Sequence, residues 1–351
     1  MSAAAADDLR DVVVVGAGPA GLFATYYAGF RGLSVTLVDA QSEAGGQITA
    51  LYPGKLIHDV AGFPAVTGSA LVAGLMSQVK EYSPRLLFDT DVAGLERADD
   101  GTFAVLTSGR QPLRTRTVVL ATGVGGIHPR TLPVGHEWHG RGVVYVVSDV
   151  AAHTDHDVVV VGGGDSALDW ALALRPVARS VTIVHRRRAF RAHAALLDRA
   201  AREGVGLLTE AEIQAVEGDH RLRTVTVRRD DGEVLELPAD TVVGALGLLS
   251  APTPFPQWGL DVHQRKAVVD SRMQTSVPGV FAIGDASTYA GKVSLIATGF
   301  GEAATAVNNA AVHIDPELSL MPGHSTDEEL APPSTRSVPI PVVAAARRDE
   351  A

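Results

Sequence analysis

The sequence predicts an α/β protein of two Rossmann-type three-layer domains, one inserted into the other. Three observations carry this. A run of four valines leading into glycine occurs twice, as Val12–Val15 before Gly16 and as Val158–Val161 before Gly162. The spacing is the same at strand and turn, since 158 minus 12 and 162 minus 16 both give 146. Two Gly- and Pro-rich stretches, 125–142 and 248–259, flank the second copy and read as paired linkers, as an inserted domain requires. The outer domain is then expected at 1–128 and 251–326 and the inner one at 129–250. The remainder, 327–351, carries Pro332-Pro333 and Pro339-Ile340-Pro341 and reads as a flexible tail.

The first element, Val12–Val15, is apolar at every position, the pattern of a parallel strand buried on both faces. The turn that follows, Gly16-Ala17-Gly18-Pro19-Ala20-Gly21, opens a helix. Gly16 permits the tight turn, Gly18 lets backbone approach a pyrophosphate, and Gly21 lets helix and strand pack closely, with free N–H groups of the helix start facing the anion. A second strand, Ser34–Val38, ends at Asp39, and 39 minus 16 is 23. In the second copy Gly162 and Gly164 begin the turn, the strand Ser180–Val184 follows, and His185 stands at the same distance, 185 minus 162 being 23. Each copy is a dinucleotide-binding βαβ unit.

The residues closing each second strand distinguish the ligands. Asp39 is placed to accept hydrogen bonds from both hydroxyls of an adenosine ribose, which suits FAD or NAD and repels a 2′-phosphate. Arg186, Arg187 and Arg188, with Arg191 just beyond, offer the opposite field and suit the 2′-phosphate of NADP through charge-assisted, often bidentate hydrogen bonds. Between and after the repeats, Leu120-Ala121-Thr122-Gly123 and Val243-Gly244-Ala245-Leu246-Gly247 are strands entering glycine turns, where the chain would cross between domains.

Composition bounds the function. A length of 351 residues favours two domains with sizeable cores, and 46% hydrophobic with 20% charged residues is the balance of a globular protein. The chain has no cysteine, which excludes disulfide scaffolds, thiolate metal sites and dithiol chemistry, and no metal ligands are read elsewhere. A net charge of −10 argues against nucleic-acid binding. No apolar run is long enough to span a membrane, and Met1–Arg10 lacks the basic and apolar regions of a secretory signal, so a cytoplasmic location is expected.

The segment Thr275–Asp285, ending Phe281-Ala282-Ile283-Gly284-Asp285, resembles the second FAD motif of the disulfide-reductase-like flavoproteins. With Gly45-Gly46-Gln47, Arg186-Arg187 and Arg191-Ala192, the chain resembles the low-molecular-weight thioredoxin reductases. Those enzymes require a Cys-x-x-Cys pair, whereas the corresponding stretch here, near Gly142 to Asp149, holds Tyr145, Val147 and Asp149. Thiol–disulfide exchange cannot proceed without a thiolate. The closer resemblance is to the thioredoxin-reductase-like ferredoxin–NADP⁺ reductases, from Asp11 to about Thr326. It is most specific at Ala50-Leu51-Tyr52-Pro53, Asp59–Pro64, Gly291-Lys292-Val293, Leu295–Glu302, Ala306–Asn309 and Pro322–Ser325.

The resemblance implies an NADPH-binding domain inserted into a discontinuous FAD-binding domain. It assigns Asp39 to the ribose, Gln47 to the neighbourhood of the flavin ring, Tyr52 to one isoalloxazine face and His324 to the other. Val92 is assigned to the adenine end, Ile127 to the flavin's vicinity, and Asp285 and Thr326 to hydrogen bonds with FAD. The activity implied is hydride transfer from NADPH to FAD and single-electron delivery to ferredoxin; flavodoxin would be served by the same machinery, and the sequence leaves these acceptors open. The hydride step needs no general acid or base, so Tyr52 and His324 are read as stacking and gating groups. A homodimer is also implied. A monooxygenase of related fold would betray itself by oxygen uptake, and a non-catalytic dinucleotide sensor by failing to oxidise NADPH with ferricyanide.

Overall fold

The structure, a computed structural model, describes residues 9–51 and 53–324. The chain divides into two units, one formed by the described residues up to Gly126 together with those from Pro252 onward, the other by Ile127–Ala251.

In the first unit, the strand Arg10–Val15 lies between two parallel neighbours, Val35–Val38 and Leu113–Leu120. Its four valines are therefore buried without alternation. The sheet runs Arg85–Leu87, Val35–Val38, Arg10–Val15, Leu113–Leu120, Phe103–Thr107, Val92–Arg97. Leu113–Leu120 forks: its first residues pair antiparallel with Phe103–Thr107 and its last three pair parallel with Val280–Ala282. That second pairing brings the C-terminal segment back into the N-terminal sheet. The helix Pro19–Phe30 starts with proline in its first turn, where a missing N–H costs nothing, and packs against the helices Gly68–Glu81 and Ile296–Ile314. Thr67 caps Gly68–Glu81, its hydroxyl accepting the Ala70 N–H at 3.2 Å.

In the second unit, five strands are all parallel, in the order Val143–Val144, Thr241–Gly244, Asp157–Val161, Ser180–His185, Gly206–Thr209. Successive side chains of a strand point to opposite faces, and Asp157–Val161 shows the consequence. Val158 and Val160 enter a core with Ala167, Leu168 and Leu174 of the helix Asp165–Leu174. Val159 and Val161 enter a separate core with Ile213, Val225 and Val227 of an antiparallel sheet formed by Ala211–Gly218, Leu222–Arg229 and Val234–Pro238. Helices, parallel sheet and antiparallel sheet make the three layers.

The chain passes between the units within both stretches read as linkers, at Gly126/Ile127 and Ala251/Pro252, but much of each stretch packs into a unit. Ile127–Pro129 and Leu248–Ser250 pair antiparallel. Leu132 and Trp138 are buried in the second unit's core, the Trp138 indole N–H donating to the Val216 carbonyl at 3.1 Å, and Phe255 is buried in the first unit's core. Glycine and proline mark where a chain turns, but the apolar residues between them are still driven out of water. Among the described residues no helix is long and apolar enough to cross a membrane.

Candidate functional site

The glycine turn of the first unit is built as tightly as its sequence demands. Gly16 has φ +109°, and a Cβ on it would lie 2.4 Å from the Ala121 carbonyl oxygen; a Cβ on Gly21 would lie 1.8 Å from the Gly16 carbonyl oxygen. Neither position admits a side chain. Around Gly18 the reverse holds, since a Cβ there would meet nothing within 4 Å. Asp39 faces this turn, one carboxylate oxygen accepting the Ala17 N–H and the other the Gln41 N–H at 2.7 Å. The Thr90 N–H donates to the Asp39 carbonyl at 2.9 Å, which brings the start of the strand Val92–Arg97, and so Val92, toward the same end. Gln47 begins a short helix, Gln47–Leu51, and its amide nitrogen lies 3.2 Å from where a Cβ on Gly123 would be.

The second motif closes on this turn. Gly284, at φ +60°, would place a Cβ 3.2 Å from Cβ of Ala20, and so would Gly299 of the helix Ile296–Ile314. Asp285 is partly exposed, with the Lys266 ammonium 3.9 Å from its carboxylate. The Thr122 hydroxyl is buried and has no hydrogen-bond partner among the described residues. An open cradle at Gly18, a ribose-seeking carboxylate and an orphaned hydroxyl together fit a dinucleotide such as FAD. A cavity of 570 Å³ lies between the loop His58–Pro64 and Ala297, so two of the strings that carried the resemblance meet in one place.

Beneath Gly284 lies a buried network. Lys292 and Glu302 form an ion pair with side chains only 7% and 4% exposed. Glu302 accepts the Gly284 N–H at 2.7 Å and the Tyr289 hydroxyl at 2.8 Å, while Lys292 donates to the Gly284 carbonyl at 2.8 Å and to the Ser287 hydroxyl at 2.9 Å. Burial, then the bond to Glu302 and its charge, push the Tyr289 hydroxyl up to about 12. Sequence reasoning quoted Lys292 and Glu302 only within longer strings. A signal was present: they are the only Lys, Arg, Asp or Glu between Ala286 and Ile314.

The second unit repeats the first. A Cβ on Gly162 would lie 2.3 Å from the Ala245 carbonyl oxygen, and one on Gly164 would meet nothing within 4 Å. The Ala245 N–H donates to Val161 at 2.8 Å as the Ala121 N–H does to Val15 at 2.7 Å. Gly163 was not singled out by the sequence, yet a Cβ on it would lie 2.2 Å from the His185 ring. His185 is buried beneath it, with Nε2 3.2 Å from the Ala189 carbonyl. Burial pushes the His185 pKa down against that bond, and Arg187, Arg186 and Arg191 push it the same way. The Arg191 N–H donates to the Gly163 carbonyl at 2.8 Å, tying the arginine loop to the glycine turn, and Arg186, Arg187, Arg188 and Arg191 all expose their side chains. Three or four cations around an open glycine turn fit a phosphorylated ribose.

Tyr52 and Thr326 lie outside the described residues. His324 is exposed at the end of the described chain. Ile127 begins the second unit. Tyr145, in the stretch where a dithiol would be expected, is packed against Gly244, and its hydroxyl accepts the Leu132 N–H at 3.0 Å.

Comparison with known proteins agrees with this architecture. The model of the family described as pyridine nucleotide-disulphide oxidoreductase matches residues 10–310. A ferredoxin–NADP reductase of Salinispora tropica is 53% identical over 318 residues, 91% of this chain and 98% of that protein. One of Saccharopolyspora erythraea is 51% identical over 321 residues, 90% of this chain and 97% of that protein. Among solved structures, the thioredoxin reductase of T. acidophilum superposes with a TM-score of 0.70 at 27% identity, covering 88% of this chain and 99% of its own.

Proposed function

The chain belongs to the pyridine nucleotide-disulphide oxidoreductase family, and from that premise we propose that it is a ferredoxin–NADP⁺ reductase. One observation carries the reading within the family: two glycine turns of the same build end in opposite charge, Asp39 in one and Arg186, Arg187 and Arg191 in the other, in a chain with no cysteine at all. Disulfide chemistry needs a thiolate that this protein does not possess, so reducing equivalents leave the flavin for an external acceptor. The relatives above that are named ferredoxin–NADP reductase support ferredoxin in that role.

When bound, FAD supplies the switch between a two-electron donor and one-electron acceptors. The protein's part is to hold and orient. Gly18, in the turn that Gly16 and Gly21 allow to close, would receive the FAD pyrophosphate, Asp39 the adenosine ribose, and Asp285 and Thr122 would offer polar groups at the C-terminal ends of the strands. Gly164, in the turn that Gly162 allows to close, would receive the NADPH pyrophosphate, and Arg186, Arg187 and Arg191 would hold its 2′-phosphate. Gln47, Tyr52, Val92, Ile127, His324 and Thr326 are assigned to FAD by the family resemblance. The protein acts in the cytoplasm as a homodimer. Because its net charge is −10, encounter with an acidic ferredoxin relies on a local basic surface and slows as salt is raised.

The test is anaerobic reduction of the purified yellow protein by NADPH, followed by ferredoxins and flavodoxins added one at a time. NADPH should bleach the flavin band and ferredoxin should restore it through many turnovers. A band that NADPH leaves unchanged would refute the reductase reading, and turnover with flavodoxin alone would replace the acceptor.

A further inference from the structure

Burying a lysine and a glutamate is costly, and an apolar pair of similar volume often serves a fold as well or better. Lys292 and Glu302, at 7% and 4% exposure, therefore call for a reason beyond stability. What they touch supplies one. The backbone of Gly284 is left-handed, at φ +60°, and both its polar groups are taken by these two side chains: the N–H by Glu302 at 2.7 Å and the carbonyl by Lys292 at 2.8 Å. Ser287, fully buried, adds a hydroxyl that donates to the same carbonyl at 3.0 Å and accepts from Lys292 at 2.9 Å. Tyr289 donates its hydroxyl to Glu302 at 2.8 Å, beside a longer contact from Ser287 at 3.4 Å, and its ring lies 5.4 Å from the Lys292 ammonium.

A trans peptide points its carbonyl and the following N–H in opposite directions. Holding the Gly284 carbonyl inward on a buried ammonium thus directs the Asp285 N–H away from the core. Gly284 itself is pressed toward Ala20 at the start of the helix Pro19–Phe30, where a Cβ would come within 3.2 Å. We propose that Lys292, with Glu302 as its counter-ion, is a positioning residue for FAD: the pair sets the orientation of the Gly284–Asp285 turn and so presents Asp285 for its hydrogen bond with FAD. An apolar pair could fill the space but would leave the Gly284 N–H without its acceptor and the Gly284 carbonyl to Ser287 alone. This rests on the reading that FAD is bound at that turn.

The experiment compares the full-length holoenzyme with the double variant Lys292→Met/Glu302→Leu, which removes both charges together. The readouts are the FAD dissociation constant by ultrafiltration, the flavin midpoint potential, and the urea midpoint at saturating FAD. The expected result is a near-normal urea midpoint with FAD held about tenfold more weakly, or worse, and a shifted potential. A double variant that binds FAD with wild-type affinity and potential overturns the proposal and leaves the pair a purely structural one. If that variant does not fold, Lys292→Arg decides: it keeps the charge opposite Glu302 but carries a longer, planar donor that cannot reach Gly284 in the same geometry. Weakened FAD binding in the arginine variant supports positioning, and unchanged binding overturns it. Failure of the underlying reading looks different, because the wild-type protein itself would then take up no FAD.

Discussion

Asp39 and His185 occupy the same place in the two copies, at the end of a parallel strand beside a glycine turn, and use it differently. Asp39 reaches the turn directly and accepts the Ala17 N–H. His185 lies under Gly163 with its ring nitrogen against the Ala189 carbonyl, and the arginines proposed to hold the 2′-phosphate follow it. Replacing Arg186 and Arg187 by alanine should accordingly raise the KM for NADPH by tenfold or more and leave NADH turnover nearly unchanged, because each charge-assisted hydrogen bond lost is worth about 1.5–3 kcal/mol. Steady-state kinetics with both nucleotides measure this, and an unchanged preference would remove the phosphate assignment. The arginines were legible in the sequence as a charge run at a defined spacing. Gly163 was not, because its reason is the imidazole folded beneath it, a contact no spacing rule encodes.

At the scale of the element, the two βαβ turns separate glycines the fold needs from glycines left open for the proposed ligands. Gly16, Gly21 and Gly162 are closed in by carbonyl oxygens, so alanine there clashes with the protein itself. Gly18 and Gly164 have ordinary extended backbones and open space around them. Gly164→Ala should therefore leave thermal unfolding unchanged while NADPH no longer reduces the flavin at normal rate, because the added methyl stands where a pyrophosphate must approach. Gly18→Ala should likewise fold yet emerge from gel filtration without its yellow colour. Stopped-flow reduction, the flavin absorbance and melting curves, taken for Gly18→Ala against FAD-stripped wild type, distinguish these outcomes, and a loss of stability on that comparison would contradict the assignment. The motif positions were readable from the sequence. Their division into structural and ligand-facing glycines required the positions of Ala121 and Ala245, more than eighty residues on in each copy.

Across the whole molecule, each unit has its own apolar interior. Leu168 is fully buried between the helix Asp165–Leu174 and the parallel sheet of the second unit. Leu168→Ala should destabilise that unit by about 2–5 kcal/mol through lost transfer energy and the cavity left behind. FAD retention should persist, since the described residues assigned to it other than Ile127 belong to the first unit. Differential scanning calorimetry with the flavin band followed in parallel checks this; a single transition in which flavin is lost with the second unit's melting would show that the two interiors unfold as one.

Periodicity and short-range spacing were enough, by themselves, to reveal two βαβ units and the opposite charge at the ends of their second strands, because each is encoded within about thirty residues of chain. The buried pair under Gly284, the forked strand Leu113–Leu120 and the packing of Trp138 and Phe255 were decided only by tertiary structure. A strand's neighbours and a charge's counter-ion are set by which distant segments share a face once water is excluded, and that is a property of the folded whole that local pattern does not carry.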